Sequence, residues 1–250
     1  MKDLIKEKFS KGTSLIHTLD PRVKIIVILL FSVIVAVTDK TISLIAALLF
    51  SIMIVMIAKL KAKEILSRLL VVNSFIFLLW IMLPFTFGGE KIYTLGSMGI
   101  SQEGIKYAFL ISIKSNSIVL AGIALLSTTS VYNIIHALHH LYLPDKLTQL
   151  FFFTYRYLHT IYSEYVSLNN ALKIRGFKPK TNFHTYKTYA YLVGMLLVRS
   201  YDRSNRVYNA MLCRGFKGKF WTLNHFNFKK ADFVAGTMMI TCVLGLVLLP

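Results

Sequence analysis

The chain is short of cysteine, of acid and of charge in general. Its two cysteines, Cys213 and Cys242, lie in different kinds of segment and offer no metal-type spacing. A disulfide framework or a zinc site is therefore not expected. Aspartate and glutamate number 11 against 29 lysines and arginines, a formal net charge of +18. Only 16% of residues are charged, where a soluble domain carries about 25%. No G-x-x-x-x-G-K-[ST] loop occurs, so the chain is not expected to hydrolyse ATP by itself. No H-E-x-x-H motif and no paired acids within apolar segments are present, which counts against metal-assisted hydrolysis. The opening MKDLIKEKFSKGTSLIHTLDPR lacks an early apolar run and is not expected to be a cleavable signal peptide.

What the chain has instead is hydrophobic length. Of its 250 residues 55% are hydrophobic, and mean hydropathy is +0.59. Five apolar runs stand out: Val23–Val37, Thr41–Ala58, Leu69–Phe87, Ile105–Thr129 and Phe233–Leu249. Roughly 17–25 apolar residues cross a hydrocarbon core as a helix. The five runs fit that range, the first being the shortest, and each is apolar round most of its circumference.

Flanking charge orients the spans. Residues 1–24 carry six Lys or Arg, Lys59–Arg68 four, and Ser130–Asp232 fifteen, so 25 of the 29 fall on one side of five crossings. The expected fold is an all-α membrane protein with about five transmembrane helices and a helical cytoplasmic coupling domain inserted before the last span. Residues 1–129 hold four spans, 130–232 the cytoplasmic domain and 233–250 the final span. The N-terminus is then cytoplasmic, the C-terminus outside, and the location the cell (plasma) membrane. Within 130–232, Leu147–Tyr162 and Tyr189–Val198 read as amphipathic helices on the membrane or on one another. The positive charge suits an anionic membrane face or an acidic protein rather than nucleic acid.

One short skeleton is written twice. NALKIRGF (Asn170–Phe177) and NAMLCRGF (Asn209–Phe216) share N-A-x-x-x-R-G-F, 39 residues apart. Tyr162 pairs with Tyr201 and Leu168 with Val207 at the same offset, and the similarity then fades. Ala and Arg at i and i+4 share a helix face. Gly after Arg marks a left-handed helix stop, and Arg in the last turn meets the negative end of the helix dipole. A capped helix would explain one copy. Two copies, each with Ala below an Arg that can grip a carboxylate, point to docking on a partner.

At these residues the sequence resembles the transmembrane T-component of energy-coupling factor (ECF) transporters. The matching features are Asp20-Pro21-Arg22-Val23-Lys24 near the N-terminus and the pair Ala171/Arg175/Gly176 and Ala210/Arg214/Gly215. Thr154-Tyr155-Arg156-Tyr157-Leu158 and Arg199-Ser200-Tyr201-Asp202-Arg203 are similar to the cobalt/nickel branch, the Q-type subunit. The resemblance spans Gly12 to about Gly218. It implies two cytoplasmic ABC ATPase subunits as partners, gripped mainly by Arg175 and Arg214. Ala171 and Ala210 would allow close packing, and Gly176 and Gly215 would stop the helices. It further implies a small substrate-binding membrane subunit, cobalt or nickel as cargo, no cofactor on this chain and ATP used by the partners.

Other residues carry expectations of their own. Asp20 and Pro21 suit a helix N-cap and first turn, with Asp20, Pro21 and Arg22 also placed for contact with the cytoplasmic domain. Lys114, within the fourth run beside Ser115, Asn116 and Ser117, reads either as a snorkelling lysine or as a polar seam toward another subunit. His136, His139 and His140 lie on one short stretch, with His136 and His140 at i, i+4. They read as an amphipathic interfacial helix, or as the metal site of a membrane-embedded metal-dependent enzyme. A T-component shared among several vitamin-binding subunits is the nearer alternative.

Overall fold

The computed structural model describes residues 12, 14–86, 91–95, 98–218 and 230–248. Most of the N-terminal stretch expected to remain uncleaved, residues 219–229 of the expected coupling domain and the end of the last apolar run lie outside them. In chain order the elements are α1 (Leu15–Thr18), α2 (Pro21–Val37), α3 (Thr41–Ala58), α4 (Ala62–Thr86), β1 (Lys91–Leu95), β2 (Met98–Ser101), α5 (Gln102–Leu126), α6 (Val131–His140), α7 (Asp145–Ile174), α8 (Phe183–Cys213) and α9 (Lys230–Leu248). Contacts divide the chain into two compact units, one drawn from Leu138–His225 and the other from Lys6–Ala137 with Phe226–Pro250.

The larger unit is a helix bundle with α5 at its centre. α5 packs against α2, α3 and α4, while α9 packs on α2 and α3. Phe31, Val35, Leu44, Leu125 and Val243 are fully buried between them. Ala47, Ser51, Ser117, Ala121 and Ala124 are equally buried, and small side chains let membrane helices approach closely. At Gly236 of α9 a Cβ would lie 2.8 Å from Val23 Cγ1 of α2. Gly236→Val is therefore expected to cost about 1–3 kcal/mol by overpacking, seen as a lower melting temperature in detergent. Gly245→Ala, at a position facing open space, should lower it not at all.

Local chemistry starts and stops these helices. Asp20 caps α2, its Oδ1 accepting from the Arg22 backbone N–H at 2.9 Å, with Pro21 in the first turn. Thr38 closes the same helix through its hydroxyl to the Ile34 carbonyl, 2.8 Å. α3 ends at Lys59 in the left-handed region, φ 50°. Ser101 caps α5 by accepting from the Gly104 N–H.

Among the described residues three helices, α3, α4 and α5, are long and apolar enough to cross a membrane on their own. α2 has 17 residues, about 26 Å at 1.5 Å per residue, and the apolar part of α9 covers Asp232–Leu246. Both helices cover the apolar runs expected there, α9 having 19 residues and reaching Leu248, and both pack into the same bundle. α4 starts at Ala62 rather than near Leu69, because Ala62-Lys63-Glu64 are good helix formers despite their charge. It buries only Ile65, Ile76 and Pro84, leaving Leu70, Phe75, Phe77 and Trp80 among its outward apolar side chains.

The described chain is not purely helical. β1 and β2 pair antiparallel, Lys91 opposite Ser101 and Leu95 opposite Met98. The run Ile92-Tyr93-Thr94 favours extended backbone, and Gly99 weakens a helix, which suits the β1–β2 pairing between α4 and α5.

The smaller unit is built on α7 and α8, of 30 and 31 residues. The two amphipathic stretches expected as separate short helices are the first halves of these continuous ones. Nothing from Asp145 to Ile174 is Gly or Pro, so Arg156 and His159 interrupt hydropathy without interrupting the helix.

Candidate functional site

Both motif copies end their helices in the same way. At the end of α7 the Gly176 N–H donates to the Lys173 carbonyl (3.0 Å) and the Phe177 N–H to the Leu172 carbonyl (3.1 Å). At the end of α8 the Gly215 N–H donates to Leu212 (2.9 Å) and the Phe216 N–H to Met211 (3.0 Å). These are the paired bonds of a Schellman cap, and they require the residue after the last helical turn to be left-handed. Gly176 and Gly215 both have φ +79°, a conformation glycine alone adopts cheaply.

Ala171, Arg175, Gly176, Ala210, Arg214 and Gly215 are all exposed. Neither Arg175 nor Arg214 forms an ion pair with a described residue. Each guanidinium is thus presented at the end of a rigid helix, one turn from an alanine that leaves the adjoining surface low. That arrangement can accept a carboxylate in a forked, directed contact.

α7 and α8 run antiparallel, and three contacts fix their register. Gln149 Nε2 donates to the Gly218 carbonyl at 3.0 Å, Arg203 pairs with Glu164, and the Phe177 ring meets Tyr189 edge-on with centroids 5.8 Å apart. The Glu164 side chain is 16% and the Arg203 side chain 34% exposed, so the pair is half-buried. Glu164 and Arg203 are themselves 39 residues apart, the offset of the repeated octet. Each lies 11 residues before its motif arginine, about 16 Å of helix. The ion pair thus marks the midpoint of a pseudo-twofold arrangement, with Arg175 and Arg214 at opposite ends. The sequence reading missed this pair, although a search for opposite charges at the repeat offset would have found it.

The Asp20-Pro21-Arg22 stretch lies in the larger unit, at the start of α2. The Asp20 backbone N–H donates to Asp232 Oδ1 at 3.2 Å. Lys24 Nζ donates to Thr129 Oγ1 at 2.8 Å and Thr128 Oγ1 at 3.4 Å, within electrostatic reach of both carboxylates. Asp20, Lys24, Thr128 and Asp232 are 6%, 1%, 2% and 5% exposed. This buried polar knot ties the start of α2 to the chain just after α5 and to the first turn of α9. Asp232, Thr128 and Thr129 were not foreseen, since burying them depends on tertiary packing.

Lys114 is paired inside the chain. Its Nζ meets Asp39 Oδ1 at 2.7 Å and the Ala36 carbonyl at 3.0 Å, which satisfies a free carbonyl at the end of α2. Asn116 donates to Asn73 (3.0 Å), and Trp80 Nε1 to Ser112 (2.9 Å). The polar seam of α5 is accordingly spent on α2 and α4.

The histidines lie on α6 without converging. His139 Nε2 contacts Asp145 Oδ1 at 2.9 Å, and its ring meets His140 edge-on. Among the described residues no group of three His, Cys, Asp or Glu could hold a metal ion, so the enzyme alternative gains no support.

The family model CbiQ, cobalt transport protein, matches residues 12–223. Several curated relatives align over most of the chain. The EcfT energy-coupling factor transporter transmembrane protein of Bacillus subtilis is 27% identical, with 87% of this chain and 86% of that protein covered. The EcfT protein of Lactobacillus helveticus is 24% identical, covering 100% and 94%. An uncharacterised protein of Methanocaldococcus jannaschii is 21% identical, covering 96% and 85%. Apolar bundle, capped basic ends and these matches together define a membrane transport component of the energy-coupling factor kind. The chain belongs to the CbiQ family, the T-components of ECF transporters.

Proposed function

We propose that this chain transmits the ATP-driven motion of two cytoplasmic ATPase subunits to a small substrate-binding membrane subunit, in an importer of cobalt or nickel ions. The observation that carries the reading is the pair of identically capped, exposed arginine ends at opposite poles of one antiparallel helix pair. Two separated, equivalent grips suit two copies of a motor. The chain holds no nucleotide loop or cofactor of its own in this reading, and ATP is bound and cleaved by the partners.

Orientation follows from charge. With 25 of 29 basic residues on one side, the positive-inside rule puts the N-terminus and residues 130–232 in the cytoplasm. Five crossings of the plasma membrane then leave the C-terminus outside. α2 and α9 serve as the first and the last crossing.

Metal cargo rests on the family description and on the Q-type residues around Arg156 and Arg203. A second reading, a T-component shared by several vitamin-binding subunits, is favoured by the relatives that carry the EcfT name. Co-expression with the ATPase and membrane subunits encoded beside it, followed by uptake of labelled cobalt, nickel and vitamins, separates the two. Cobalt or nickel accumulation that depends on this chain is expected. Vitamin uptake without metal uptake would replace the cargo, and failure to co-purify with any ATPase would overturn the coupling role.

A further inference from the structure

The two grips are alike in backbone and unlike in surroundings. A cleft of about 450 Å³ opens beside the end of α8, lined by Phe153, Arg156 and Tyr157 of α7 and by Ala210, Arg214 and Phe216. No acidic side chain lines it. Arg156 is exposed, sits 5.9 Å from the Tyr157 ring centroid, and has no ion-pair partner among the described residues. Two guanidiniums bordering one small cleft repel each other, and an anion placed between them removes that cost.

The pseudo-twofold relation predicts what the other end offers. Moving 39 residues along, Phe153, Arg156 and Tyr157 become Leu192, Met195 and Leu196. The second cation and both aromatic rings are thereby replaced by aliphatic and thioether side chains. The position equivalent to Arg156 is thus uncharged at the Arg175 end.

We propose that the cleft at the α8 end receives an acidic side chain of the ATPase docked there, held jointly by Arg156 and Arg214, with the aromatic rings packing its stem. The α7 end, with Met195 in place of Arg156, binds its ATPase copy through Arg175 and an apolar counterpart. The occupant is a protein carboxylate because the cleft adjoins the Ala-Arg-Gly end already assigned to docking. The inference therefore rests on that docking role. It makes the grips chemically distinct: one reads both helices at once, the other essentially one helix end.

Binding of the purified ATPase subunits to the full chain in nanodiscs tests this by double-variant cycles. Arg156→Ala is expected to weaken association about 10–100-fold, the loss of one charge-assisted contact, and Arg156→Lys to recover part of it. Combined with Arg214→Ala it should add little further, since both residues hold one group. Combined with Arg175→Ala the losses should multiply, since those residues serve separate ends. Unchanged helicity by circular dichroism guards against misfolding, which exposed Arg156 is not expected to cause. If Arg156→Ala leaves ATPase binding intact while Arg175→Ala and Arg214→Ala weaken it, the composite cleft is wrong and the docking role stands. If none of the three weakens binding, the docking role itself fails. Arg156→Ala that reduces binding of anionic-lipid vesicles but not of the ATPase would assign the cleft to a headgroup and overturn the proposal.

Discussion

An Arg175→Ala, Arg214→Ala double variant is expected to insert in the membrane, keep its helices and lose ATP-driven uptake. Both side chains are exposed, so the unit on which they sit loses no internal bond. What disappears is the pair of charge-assisted contacts to the partners, each worth about 1.5–3 kcal/mol. Association with the ATPases should fall about 10–100-fold for either single variant. For two separate ends the effects multiply, giving about 10²–10⁴ for the pair. Lysine at either position restores charge without the planar fork and should rescue only in part. Co-purification measures assembly, and uptake per assembled complex measures coupling. Wild-type assembly and transport by the double variant would remove the basis of the proposed function.

Lys24→Met is expected to have the largest effect on stability. Methionine matches the length of the lysine stem but removes a buried cation within electrostatic reach of Asp20 and Asp232, and takes the donor from Thr129. Removing one member of a buried charged group typically costs about 3–5 kcal/mol. In a chain of this size that is a fall in melting temperature of roughly 6–20 °C. Thr129→Val, which removes one neutral acceptor, should cost about 1–3 kcal/mol. A Lys24→Met chain that melts with the wild type would show the lysine to be dispensable to the knot. The prediction is one of folding, readable in detergent without partners or cargo.

Hydropathy located the bundle well because membrane helices are defined by length and composition. α3 coincides with the run Thr41–Ala58, and α2 and α5 depart from their runs by only a few residues. The errors arose where polarity and helicity part company. Charged Ala62–Arg68 is a helix that reads as a loop, and Arg156 and His159 make the start of α7 look like a short surface element. The pairing of β1 with β2 escaped because a short strand pair leaves no trace in a wide apolar window. At the site, Ala171, Arg175 and Gly176 and their counterparts were legible from the repeat, since glycine after the last turn has one structural meaning. Arg156 was visible only as a family-like residue. Its neighbourhood with Arg214 depends on the antiparallel register of α7 and α8, which no local pattern encodes. Lys114 shows the converse, a polar residue in an apolar run whose partner, Asp39, sits in plain view between two spans.

The equal spacing of Glu164 and Arg203 from the two arginine ends has a mechanical meaning. In the proposed coupling role each end is an arm of about 16 Å measured from the Glu164–Arg203 pair. Equal and opposite pulls across the two arms would cancel as translation at that fulcrum and survive as torque. A pull on one arm alone would displace the pair as well as turn it. On that reading the geometry distinguishes two motors working together, which turn the pair in place, from one working alone, which also shifts it.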